Sequence, residues 1–278
     1  MMFKEEVVVR AALILASILN NWGFIPLETS LYSGVLTTQN IFGRDDRISM
    51  QSHDYPWSTI GRVEIDRGDG DVQICTGTLI WKNLIITNAH CVLEDEDKGT
   101  VKPESIKFKL NVVDDIPLSE AGVKEIFTGT QSPHKERAKD WAILKLDKPL
   151  GNKYGWMEFA FFDSIDEPIR PFNMVGYSLD FPAENPAYTA GVHQGCRIRG
   201  EKNGYLLHDC DMTQGASGGP IFFLRDNGEA VIVAINAAQY IIPGGRQKAP
   251  MYTPRTANIA VMVNSWAPCV SELRTQNR

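Results

Sequence analysis

The sequence is poor in the features that mark several large classes of protein. Near its start an apolar run, Ala11-Ala12-Leu13-Ile14-Leu15-Ala16-Ser17-Ile18-Leu19, holds nine apolar or small residues. That is too few to span a bilayer, so no stable membrane insertion is expected. Net charge is −6 and no basic block stands out, which speaks against a nucleic-acid partner. Histidine is scarce, five in 278 residues, and no His/Cys cluster has the short spacing of a zinc site. The acidic run Glu94-Asp95-Glu96-Asp97 is a string of consecutive carboxylates without a defined ligand spacing. It reads as a solvated loop and not as a calcium site. No internal repeat and no cofactor motif is found, so no cofactor or metal is expected. What remains is an ordinary globular composition, 43% hydrophobic and 22% charged, long enough for one large or two small cores.

Against that background one stretch stands out, Asp211-Met212-Thr213-Gln214-Gly215-Ala216-Ser217-Gly218-Gly219-Pro220. A serine sits among glycines, whose freedom lets backbone N–H groups turn toward a reacting oxygen. The N–H groups of Gly215 and Ser217 are candidate oxyanion donors for attack by Ser217 on a carbonyl. A serine hydroxyl needs a base, and the base needs an orienting group. His90, in Thr87-Asn88-Ala89-His90-Cys91, and Asp140, in Lys139-Asp140-Trp141-Ala142-Ile143-Leu144, supply both. The order along the chain is His, Asp, Ser. Gly215-Ala216-Ser217-Gly218-Gly219 also fits the G-x-S-x-G elbow of α/β-hydrolases, but those place a histidine after the serine. The last histidine here is His208, which excludes that fold. His53, His134, His193 and His208 sit in polar or loop-like segments and read as surface or hydrogen-bonded residues.

In these blocks the chain resembles the trypsin-like serine peptidases of chymotrypsin fold, from about Ile41 to the C-terminus. Within that family it is most similar to the bacterial branch that includes the glutamyl endopeptidases. Ile41-Phe42-Gly43-Arg44-Asp45-Asp46-Arg47 followed by Tyr55-Pro56-Trp57 is similar to the start of mature enzymes there. The resemblance implies hydrolysis of peptide bonds through His90, Asp140 and Ser217, with protein or peptide substrates. It implies a bridge between Cys75 and Cys91 around the histidine. It also places Asp211, six residues before Ser217, at the base of the primary specificity pocket. A carboxylate there favours Arg or Lys before the scissile bond. Glutamate-specific relatives also carry an aspartate at this position, with a histidine on a neighbouring strand where this chain has Asn236. Cleavage after Glu or Asp, or a non-catalytic binding protein on the same fold, are the alternatives. Asn236, Ala237 and Ala238 would offer a strand edge to the substrate, Ala237 standing where the family has a bulky aromatic. Ala216 stands where animal trypsins have an aspartate that pairs with the new amino terminus on activation, so that switch is absent.

The expected fold is all-β, two six-stranded antiparallel barrels of the chymotrypsin type with a short C-terminal helix. Short apolar or alternating runs support it, among them Leu84–Thr87, Ser105–Leu110, Trp141–Leu146, Asn173–Tyr177 and Ala230–Ile235. A terminal helix is expected over Ser265–Thr275. The expected organisation is a signal peptide over residues 1–22, a propeptide over 23–40, an N-terminal barrel over 41–157 and a C-terminal barrel over 158–278. Cys196 and Cys210 flank a short hairpin-like segment and form a second candidate bridge, which with the first points to an oxidising compartment, secreted or periplasmic. Cys269 is left over as a small packed hydrophobe. A monomer is expected.

Overall fold

The computed structural model describes residues 41–68, 70–94, 98–162, 171–240 and 251–276. The expected signal peptide and propeptide, and most of the 94–97 acidic run, lie outside these residues. The first half of the chain winds into a closed six-stranded barrel, in the order β2-β3-β4-β7-β6-β5. Its strands are β2 (Ile60–Gly68), β3 (Asp71–Trp81), β4 (Leu84–Thr87), β5 (Ile106–Val113), β6 (Ile116–Thr128) and β7 (Ala142–Leu146). A short β1 (Arg47–Ser49) precedes them but pairs with β10 (Gly191–Cys196). The segment expected to open the first barrel therefore belongs to the second sheet.

That second sheet has nine strands. Besides β1 and β10 it contains β8 (Glu158–Phe159), β9 (Phe172–Gly176), β11 (Ile198–Lys202), β12 (Tyr205–His208), β13 (Pro220–Leu224), β14 (Ala230–Gln239) and β15 (Asn258–Met262). The order is β1-β10-β9-β13-β14-β15-β12-β11, with β8 parallel to β14. Among the described residues it is an open half-barrel and not the closed six-stranded barrel expected. Extra strands at its edges account for the difference: β1 at one, the β11–β12 hairpin at the other.

Alternate side chains of the barrel strands fill two different spaces. Val63, Ile65, Leu79, Ile85, Leu144 and Leu146 pack inside the barrel. Ile60, Ile80, Leu84, Ile86 and Ile143 face the other way, against Val175, Tyr177, Ile232, Ile235 and Trp266. Both faces of β4 are buried, which is why Leu84-Ile85-Ile86 reads as a continuous apolar run and not an alternating one. The chain ends in α3 (Val263–Gln276), after the one-turn helices α1 (Ala89–Val92) and α2 (Gly151–Tyr154). Helix α3 seals the junction through fully buried Trp266. Both candidate bridges are formed, Cys75–Cys91 and Cys196–Cys210. Cys269 is a free thiol packed against the shared core.

Candidate active site

Strand β4 delivers the chain straight into α1, whose second residue is His90. The loop before β7 delivers Asp140, 5% exposed, to the same place. The Asp140 carboxylate takes two bonds from His90: its backbone N–H at 3.0 Å and its ring Nδ1 at 2.8 Å. A carboxylate only accepts, so Nδ1 carries the proton and Nε2 is left with its lone pair. Asn88 Nδ2 donates to the Asp140 carbonyl at 2.6 Å and fixes the backbone behind the pair. Burial opposes a charge on the imidazole, but the Asp140 carboxylate more than offsets it and holds the pKa of His90 above its ordinary 6.5.

Ser217 lies in the loop between β12 and β13. Gly215 and Gly218 adopt φ of +94° and +84°, the left-handed region that disfavours other residues. A Cβ on Gly215 would stand 2.3 Å from the Tyr177 carbonyl, and one on Gly218 2.2 Å from the Thr76 carbonyl. The hydrogen bonds of the loop are distributed unevenly. Ala216 N–H donates to Thr213 O, and Gly218 N–H to Asn236 O. Among the described residues, the N–H groups of Gly215 and Ser217 have no acceptor. These are the two donors expected to face an oxyanion.

Ser217 and His90 line one cleft of about 680 Å³, though no hydrogen bond joins them among the described residues. Such bonds are often long in the absence of substrate. Among the bonds that tie the two halves together, those of Thr76 on β3 lie directly behind the site. Its N–H donates to Ser217 O at 2.7 Å and its hydroxyl to Gly215 O at 3.0 Å. The preceding residue, Cys75, is bonded to Cys91, next to His90. One dipeptide thus holds the serine loop and the histidine turn at a fixed separation. Only the three-dimensional pairing reveals this, since a threonine in a strand carries no local signal.

Asp211 is not where the resemblance puts it. It is fully buried and lines neither of the cavities that Ser217 lines. Its carboxylate accepts the N–H of Phe42 at 2.8 Å and of Asp46 at 3.0 Å, and it stands 3.4 Å from His193 Nδ1. Two extended-segment N–H groups outcompete an open pocket for a carboxylate that burial would otherwise penalise. Asn236 lines the cleft, but its amide Nδ2 donates to Ala216 O at 3.2 Å and so braces the serine loop. Ala237 and Ala238 line the same cavity as Ser217.

His53 and His134 are exposed, as expected, whereas the other two lie deeper than expected. His193 and His208 lie in β10 and β12 and are buried. His53 bonds Asn111, and His134 lines the cleft. Burial is the main cause that drives the pKa of His208 down to about 4. The unfolded chain binds a proton at His208 near pH 6.5, the folded chain only near 4. Stability present above 6.5 is therefore lost as the pH falls through that interval. From pH 7 to 5 the loss at this one residue is expected to be about 2 kcal/mol. Urea titrations of the wild type and of His208→Gln would show it as a shallower pH dependence in the variant. Equal slopes would contradict it.

Fold and site together define the class, a chymotrypsin-like architecture with its catalytic candidates at the junction of two β halves. The chain belongs to the trypsin-like peptidase family, whose domain model matches residues 75–234, more than half of its length. Serine protease 23 of Homo sapiens is 25% identical over 215 residues, 66% of this chain and 51% of that protein. The Rattus norvegicus counterpart is 27% identical over 210 residues, with the same 66% and 51% covered. The chain thus spans about half the length of these relatives. Among solved structures, a Glu endopeptidase in complex with MPD superposes with a TM-score of 0.65 at 20% identity, over 84% of this chain and 99% of that one. The protease Anisep from Arthrobacter nicotinovorans gives 0.56 at 15% identity, over 74% and 90%. At such identities these structures speak to the fold alone.

Proposed function

We propose that this chain is a secreted serine endopeptidase that cleaves peptide bonds through an acyl-enzyme intermediate. The observation that carries the proposal is the His90–Asp140 bond opening onto the cleft that Ser217 lines, beside two unused N–H donors. In this reading Ser217 Oγ attacks the scissile carbonyl while His90 Nε2 takes its proton. The oxyanion is met by the N–H groups of Gly215 and Ser217. Asp140 holds the ring and stabilises the imidazolium, which then protonates the leaving amine. Water repeats the sequence on the acyl-enzyme. Pairing with β13 ends at Ile235, and Asn236 still exchanges backbone bonds with Gly218 and Gly219; beyond it strand β14 is paired on one side by β15. The open edge at Ala237–Gln239 is where an extended substrate would add by backbone hydrogen bonds. The two disulfides support an oxidising compartment, secreted or periplasmic. Residues 41–278 would form the catalytic body of a monomer, and 1–40 would be removed on maturation. With Asp211 withdrawn from the cleft, selection of Arg or Lys loses its structural support.

The test is covalent labelling by a sulfonyl fluoride, with the modified peptide identified by mass spectrometry. Modification at Ser217 is expected, and a processed chain that is not labelled there refutes the proposal. The pH dependence follows from the Asp140 contact. Asp140 favours the protonated imidazole, so the free base appears only above a pH greater than 6.5. Below that point kcat/KM is expected to fall about tenfold per pH unit. An inflection at or below 6.5 would contradict the assignment of His90.

A further inference from the structure

The cleft beside Ser217 carries a cation that the catalytic scheme does not use. Arg137 and His134 line, with Ser217 and Asn236 to Gln239, a cavity of about 320 Å³. Arg137 also lines a neighbouring cavity of about 120 Å³ together with His90 and Asp140. It therefore flanks the histidine side of the cleft, above the open edge of β14. The two carboxylates near it are engaged elsewhere. Glu136, next to it in sequence, is engaged by Lys139 at 2.6 Å and by the Thr130 hydroxyl. Asp140 is engaged by His90. Among the described residues, Arg137 has no carboxylate partner. No other carboxylate lines either cavity. The side chains beneath it on the strand, Ala237 and Ala238, are small and leave room for a substrate group.

A half-buried guanidinium with no carboxylate partner among the described residues, facing space that a peptide would fill, is a recognition element for a carboxylate. We propose that Arg137 selects an acidic side chain in the substrate. The acidic residue would not be the one whose carbonyl is attacked, but one nearer the substrate's amino terminus, where the chain runs along Ala237–Gln239. This inference rests on the peptidase reading above. It assigns a specificity-determining role to a loop residue three positions before Asp140.

Paired peptides that differ only in Glu or Gln at successive positions before the cleaved bond test it. At one position the Glu peptide is expected to show about a tenfold higher kcat/KM, the scale of one charge-assisted hydrogen bond in a partly wet cleft. The ratio within each variant is the readout, since a merely structural role would lower both peptides alike. Arg137→Glu is expected to invert the ratio and Arg137→Lys to retain part of it. A ratio near one in the wild type, or the same ratio in Arg137→Glu, overturns the inference while leaving the peptidase reading intact. Binding of the same peptides to Ser217→Ala gives the preference as a ratio of Kd values without turnover. Failure of all hydrolysis and of Ser217 labelling would instead remove the peptidase reading, and the Kd ratio would still decide whether Arg137 reads a carboxylate.

Discussion

Replacing Ser217 with alanine is expected to lower kcat by about a million-fold, His90→Ala by about as much, and the two changes together by no more than either alone. The reason is that the proposed chemistry has one proton path. Without His90 the Ser217 hydroxyl keeps its proton and is a poor nucleophile; without Ser217 the base has nothing to activate. Each single variant therefore removes the whole covalent route, and the second change finds nothing left to remove. Asp140→Asn is expected to cost less, about ten-thousand-fold, because the amide can present an N–H to Nδ1 and trap the wrong tautomer while Ser217 and the oxyanion donors stay in place. Peptide hydrolysis by the four proteins, followed by mass spectrometry, checks the pattern. Independent effects that multiply in the double variant would mean that Ser217 and His90 do not act as one unit. Peptide binding without turnover in the wild type would point to the non-catalytic alternative.

The fold was legible in the sequence, and the candidate triad could be nominated from it, to the extent that local patterns encode them. Leu84–Thr87 is a strand at the bounds that were expected, because a short run of apolar and β-branched residues has few other uses. The C-terminal helix likewise lies close to its expected span. Strands β3 and β6 were harder to see. β6 begins Ile116-Pro117 and holds exposed or half-buried residues along most of its length, so its pairing is set by β5 and β7 and not by its own pattern. His208 was misplaced for a related reason. It lies between Leu207 and Asp209, which looks like a strand leaving the core, yet tertiary packing buries it fully. Ser217, His90 and Asp140 could be picked out as candidates because each sits in a distinctive neighbourhood. Thr76 and Arg137 were not, because their roles depend on what the fold brings opposite them.

Asp211 shows most plainly where sequence position and structural role part, and Asp211→Ala is expected to lower stability by about 2 kcal/mol, a fall in Tm of roughly 4–8 °C for a domain of this size. Its carboxylate is the acceptor for two N–H groups of the 41–46 segment, and deleting it leaves both without a partner. Against that loss stands the relief of a buried charge, since desolvation, despite those N–H bonds, holds the pKa of Asp211 above its ordinary value. The net figure is therefore smaller than two charge-assisted bonds taken at face value. A second clamp joins the same two stretches of chain. Buried Arg47 pairs with Asp45 and with Asp180, each at 2.8 Å, and Asp180 also takes the hydroxyl of Thr213. Two carboxylates thus fasten residues 42–47 to the start of the serine loop, only a few residues from the oxyanion donors. Loosening one clamp is expected to show first as faster proteolysis within residues 41–47, and then as a lower kcat/KM as the loop from Thr213 to Ser217 loses its backing. Asp211→Asn keeps one acceptor and is expected to fall between the alanine variant and the wild type on both readouts. If Asp211→Ala instead left Tm and proteolysis unchanged but altered which residue precedes the cleaved bond, the aspartate would be acting from the cleft after all, and the assignment of its carboxylate to the 41–46 segment would be wrong.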